Sequence, residues 1–132
     1  MKKILLSLSL LLITNLSFAD PGVVTKTSAN SVKETLDKLE TIVTGKGFTV
    51  VARVNHAKAA EKNGLSLRPT EVLIFGNPKV GTKLMSSNQA IGLDLPVKVL
   101  VWEDEKGVVS ISYNDPAWMV SRYSIDDRAK VV

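Results

Sequence analysis

The sequence predicts an α/β (α+β) domain, a two-layer sandwich with helices packed on a mixed or mostly antiparallel sheet of about five strands. Three observations predict it. Short segments of apolar–polar alternation recur along the chain, segments with apolar residues at helical spacing fall between them, and two junctions, Asn77-Pro78 and Asp115-Pro116, mark strand-to-helix transitions.

The elements follow in order. Val23 to Thr27 is a short β-prone segment. Ser31-Val32-Lys33-Glu34 matches a capping box, in which serine and glutamate satisfy each other's orphan backbone donors. Val32, Leu36, Leu39, Ile42 and Val43 then fall on one helical stripe, and the helix runs to about Thr44, where Gly45 and Gly47 stop it. Phe48, Val50, Ala52 and Val54 alternate with Thr49, Val51 and Arg53, as in a strand that buries the first set. Asn55 caps a short helix ended by Asn63-Gly64, and Glu71 to Phe75 is an apolar strand ended by Gly76. Asn77 is an N-cap with Pro78 at the first helical position, where the missing N–H costs nothing, so a helix follows to about Ser86. Ser87 to Pro96 reads as an ordered loop with an extended Asp94-Leu95-Pro96 exit. Val97, Val99 and Val101, then Val109, Ile111 and Tyr113, alternate on either side of the Asp104–Gly107 turn, which predicts an antiparallel hairpin burying Val99 and Val101. A final helix opens at Pro116 and carries Trp118, Met119 and Tyr123.

The first residues predict an address. Lys2 and Lys3 form a positive start, Ile4 to Ile13 is almost continuously apolar, and Ser17-Phe18-Ala19 offers small residues where a signal peptidase reads. Residues 1–19 are expected to be a secretory signal peptide cleaved near Ala19, and residues 20–132 a single domain that is periplasmic or secreted. The apolar run is shorter than the roughly 20 residues a bilayer span needs, and no membrane span is expected after the leader. Removing Lys2 and Lys3 lowers the net charge from +4 to +2, and basic and acidic residues are interspersed, which argues against a nucleic-acid partner. The absence of cysteine excludes disulfides, thiol chemistry and covalent c-type haem, and the core must come from apolar packing.

The stretch Gly76-Asn77-Pro78-Lys79-Val80-Gly81-Thr82-Lys83 is close to a phosphate-binding loop but broken twice. Pro78 supplies no N–H, and Thr82 stands where the phosphate-reaching lysine belongs. A nucleotide site is not expected. The segment fits better as one wall of a small-ligand pocket.

The four segments "NHAKAAEKNGL", "FGNPKVGTKLM", "GLDLPVKVLVWED" and "SYNDP" resemble the domain-of-unknown-function family 302 over about residues 23 to 125. The resemblance implies one α/β two-layer domain, often dimeric, with no established activity, so a homodimer is among the expectations. It maps the shared positions onto His56, Asn77, Pro78, Gly81, Thr82, Met85, Asp94, Pro96, Tyr113, Asn114, Asp115 and Pro116.

From these residues the candidate ligand-binding set is His56, Asn77, Thr82, Met85, Asp94, Tyr113, Asn114 and Asp115. His56, the single histidine, stands at a strand-to-helix junction with a side chain suited to proton transfer or ligand contact near neutral pH; it serves equally as a surface or capping group. Tyr113, Asn114 and Asp115 fit either a site or a turn in which Asp115 merely caps the next helix. Trp102 and Trp118 read as core or interface anchors, and Glu103-Asp104-Glu105 as a solvated turn. Two functions of different class remain. The first is a domain binding a small molecule or a partner protein in a pocket near His56, with His56 sharing one cleft with the Asn77–Met85 segment and the Tyr113–Asp115 junction. The second is an enzyme with His56 as general acid/base, oriented by Asp94 or Asp115. A more remote alternative pairs His56 with Met85 or Met119 around copper or haem, but a single histidine without cysteine is a poor ligand set; no cofactor and no metal are expected.

Overall fold

The computed structural model describes residues 22–125, and the leader expected over residues 1–19 lies outside the described residues. The elements are β1 (Val23–Ser28), α1 (Val32–Gly45), β2 (Thr49–Asn55), α2 (His56–Lys62), β3 (Thr70–Gly76), α3 (Pro78–Ser87), a 3₁₀ turn (Gln89–Leu93), β4 (Val97–Glu103), β5 (Val109–Asn114) and α4 (Pro116–Arg122). The five strands form one sheet in the order β1-β5-β4-β3-β2, and every pairing is antiparallel. The expected hairpin is β4–β5, with Val101 opposite Ile111 and both Val99 and Val101 buried.

Local chemistry sets the helix ends as expected. Ser31 and Glu34 form the capping box of α1, Asn55 accepts the Lys58 N–H at 2.8 Å, and Asn77 and Asp115 cap α3 and α4 ahead of their prolines. The Ser31 backbone and hydroxyl hydrogen bonds hold the Glu34 carboxyl below its usual range. The segment from Ser87 to Pro96 departs from the expected loop. Asn88 caps a 3₁₀ turn by accepting the Ala90 N–H at 3.0 Å and donates from Nδ2 to the Tyr123 carbonyl at 3.0 Å, tying this turn to the end of α4. The Leu95–Pro96 peptide is cis.

Helix α1 packs Val32, Leu36 and Val43 on Leu73, Val101 and Val109 of one sheet face. Its Ile42, assigned to the apolar stripe by spacing, is instead 53% exposed. A second cluster joins α3, the 3₁₀ turn and α4 through Leu84, Ile91, Val120 and Ile125.

The strand β2 departs from simple alternation. Its register shifts between Val50 and Ala52, leaving Val51 without a partner and 60% exposed. Because Phe75 faces Val50 and Leu73 faces Arg53, Arg53 shares the α1 face with Val50, while Ala52 and Val54 move to the outer face. The expected burial of Val54 beside Val50 is thereby corrected: Val54 is 39% exposed. Arg53 reaches Asp37 of α1 and Glu71 of β3, each at 2.6 Å, and Glu40 at 3.4 Å.

Candidate functional site

Strand direction decides which junctions meet. In this order β3 and β5 run the same way, so their C-terminal ends emerge at one edge of the sheet and start α3 and α4 side by side. The two helices and the 3₁₀ turn stand over the half of the sheet face that α1 leaves uncovered. Between them lies a cavity of about 530 Å³. Its sheet wall is Phe48, Phe75, Val97, Val99 and Tyr113; its opposite wall includes Leu84, Met85, Ile91, Leu95, Met119 and Val120. Phe48 meets Phe75 edge to face, with centroids 5.6 Å apart, so two interlocked rings form part of the sheet wall.

Two glycines make room for it. A Cβ on Gly81 would stand 3.7 Å from Leu95 Cδ1 and 4.0 Å from Met85 Cε, at ordinary contact, so a larger side chain there would enter the space. A Cβ on Gly92 would press on the Met85 sulfur at 3.3 Å. The polar residues of its lining are Thr49, Asn77, Thr82, Lys98 and Asn114, beside the Tyr113 ring. Asn77 spends its Oδ1 on the Lys79 N–H at 3.0 Å, which leaves its amide donors for other use. The Gly81 N–H donates to the Asn77 carbonyl at 2.9 Å within the helix, so the near-phosphate-loop motif is a capped helix rather than a ring of free amides.

Of the sequence candidates, Asn77, Thr82, Met85, Tyr113 and Asn114 line this one cavity. Asp94 does not. It accepts the Tyr123 hydroxyl at 2.7 Å and Arg122 Nη1 at 3.3 Å, fastening the chain after the 3₁₀ turn to α4. That hydrogen bond, with burial, raises the Tyr123 pKa above its ordinary value. Arg122 also lies over the Trp118 and Tyr123 rings at 5.4 and 5.6 Å. Asp115 caps α4 through the Ala117 N–H at 2.8 Å and does not line the cavity.

His56 is placed elsewhere, and the expectation of one shared cleft is corrected. Strand β2 runs opposite to β3, pairing Asn55 with Glu71 and Thr49 with Gly76, so His56 leaves the sheet at the edge far from Asn77 and Asn114. The two edges are separated by the length of the seven-residue β3, about 20 Å at strand rise. His56 is exposed at the start of α2. The same separation removes it from Asp94, Asp115, Met85 and Met119, so neither the acid/base arrangement nor the histidine–methionine pair forms. Among the described residues, no three His, Cys, Asp or Glu side chains converge as a metal site would require.

Sequence reasoning missed Phe48, Leu95, Met119 and Lys98 as cavity residues. The sequence assigns Phe48 to the buried set of a strand, Leu95 to an extended loop exit and Met119 to the final helix, and gives Lys98 no role. The available signal was the repeated cap-plus-proline device, which places α3 and α4 as equivalent walls once β3 and β5 are known to be parallel in direction.

The sequence model of the family described as "Domain of unknown function DUF302" matches residues 24–132. A solved structure of an uncharacterized conserved protein of that family from Bacillus stearothermophilus superposes with a TM-score of 0.73 at 22% identity, covering 83% of this chain and 85% of that one. Among curated proteins, one named fluoride-specific ion channel FluC 1 from Brucella suis is 46% identical over 109 residues, or 83% of this chain and 43% of its own length. A protein of the same name from Brucella abortus matches at 46% over 40% of its length, so the chain spans about two-fifths of these relatives. Among the described residues, no helix is long and apolar enough to cross a membrane.

Proposed function

This chain belongs to the DUF302 family, and on that premise we propose that it is an exported binding domain that takes a small, largely apolar molecule into the cavity between the sheet and the α3–α4 wall. The observation that carries the reading is the cavity itself. Its volume of about 530 Å³ lies within the roughly 300–1,000 Å³ of small-molecule sites, and an apolar lining with a few polar groups is their usual chemistry. Leu, Ile, Val, Met and Phe side chains supply the contact area, while Asn77, Thr82, Tyr113 and Asn114 orient the polar end. Export rests on the Lys2-Lys3 start, the Ile4–Ile13 run and the Ala19 site. The reading places binding on the cavity; among the described residues its lining holds no carboxylate, imidazole or thiol.

The test uses the neutral apolar fluorophore N-phenyl-1-naphthylamine. Folded protein is expected to give saturable fluorescence enhancement. Gly81→Leu, whose side chain enters the cavity past Leu95 and Met85, is expected to weaken binding at least tenfold while the circular dichroism stays unchanged. His56→Ala, at the far sheet edge, is expected to leave the affinity as it was. Undiminished binding by folded Gly81→Leu protein, or loss on His56→Ala, would overturn the assignment of the site.

A further inference from the structure

We infer that Met85 sets how large a molecule this cavity admits: its thioether is a movable part of the wall, drawn back onto Gly92 when the occupant is bulky and swung forward when it is small. The inference rests on the binding reading above and adds the residue that selects by size.

The two glycines beside Met85 are explained by room and not by backbone conformation. Neither Gly81 nor Gly92 has the positive φ of Gly22, Gly47, Gly64 and Gly107, so other residues fit the same backbone. Gly81 moreover stands inside α3, where glycine is a poorer helix former than alanine. What the two positions share is Met85. A Cβ on Gly92 would lie 3.3 Å from its Sδ and 4.0 Å from its Cγ, so the thioether rests on bare backbone of the 3₁₀ turn. A Cβ on Gly81, one helical turn before Met85, would stand 4.0 Å from its Cε, so the terminal methyl has free space on that side. All three residues line the cavity.

The other apolar residues of this wall are less free to move. Leu84, Ile91, Met119 and Val120 are each 3% exposed or less, and close packing holds such side chains in one rotamer. Val80 and Leu95 are half-buried, as Met85 is, but they are branched and have fewer rotatable bonds. Met85 alone combines a long unbranched side chain, partial exposure and two glycines to move against. Swinging it exchanges one set of weak dispersion contacts for another, so the cavity changes volume while α3 stays in place.

The experiment compares two neutral occupants of different bulk, N-phenyl-1-naphthylamine with its three aromatic rings and toluene with its single ring, the second measured by displacement of the first. In Gly92→Ala the added methyl takes the place of the sulfur and keeps Met85 forward. N-phenyl-1-naphthylamine should then bind about tenfold more weakly, while the toluene affinity stays within about twofold. Adding Met85→Ala to Gly92→Ala should restore the lost affinity, a non-additivity that general distortion of the turn would not produce. Met85→Ala alone should weaken toluene binding about fivefold through lost contacts and leave N-phenyl-1-naphthylamine bound at least as tightly. An unchanged ratio of the two affinities in folded Gly92→Ala, or a loss there that Met85→Ala does not restore, would overturn the size selection and leave the binding reading standing. Where Gly92→Ala does not fold, an unchanged ratio in Met85→Ala has the same force. Failure of the wild-type protein to bind either occupant would overturn both readings.

Discussion

Replacing Arg53 with methionine removes the guanidinium that stitches α1 to the β2–β3 edge. Its Nε donates to Glu71 Oε1 at 2.6 Å and its Nη1 to Asp37 Oδ1 at 2.6 Å. The two carboxylates differ in burial, and this sets the magnitude. The Asp37 side chain is 44% exposed and remains hydrated when its partner goes, so that arm contributes little. The Glu71 side chain is 12% exposed, and without Arg53 it keeps only the Asn55 Nδ2–H at 3.2 Å. Stranding one partner of a buried pair costs about 3–5 kcal/mol, and the surviving amide contact puts the expected loss near 3 kcal/mol. Urea unfolding followed by circular dichroism is the assay; at an m-value of about 1–3 kcal/mol/M the midpoint should fall by roughly 1–3 M. The double variant Arg53→Met/Glu71→Met should recover most of that loss, because no unpaired charge is left in the sheet. A loss below about 1 kcal/mol in the single variant, or no recovery in the double, would show that the pair is solvated and that the register shift in β2 positions Arg53 without energetic consequence.

The same network has a pH signature. Hydrogen bonds from Lys33 and then Arg53 hold the Asp37 carboxyl below its usual 3.8, so its stabilising contribution is fully present above that value and lost as pH falls through the lower folded one. Carboxyl-detected NMR titration should find the Asp37 midpoint below 3.8, and Arg53→Met should raise it part of the way back, since Lys33 remains. The Asp94 contact predicts a shift of opposite sign: Asp94→Asn should bring the Tyr123 hydroxyl down toward its ordinary value of 10, read from tyrosinate absorbance against the wild-type protein. An unmoved Tyr123 midpoint would separate Asp94 from the fastening of the 3₁₀ turn to α4.

The sequence by itself determined what short-range chemistry decides. Ser31 with Glu34, Asn55, Asn77 with Pro78, and Asp115 with Pro116 each satisfy backbone donors within a few residues, so the helix starts were legible without a fold. The β4–β5 hairpin was legible for the same reason, since alternation on both sides of Asp104–Gly107 admits one local pairing. Only the tertiary structure decided the direction of β2 against β3 and β5, because either direction leaves the alternation of each strand unchanged. That choice carried His56 to the far edge and gathered Asn77, Thr82, Met85, Tyr113 and Asn114 around one cavity. It also decided which side of β2 is inner: the register shift at Val51 exchanges faces midway, so a charged Arg53 turns inward to Glu71 while Val54 turns out. Periodicity records which residues of a strand share a face, and pairing with a neighbour settles which face is buried and which strand ends stand together.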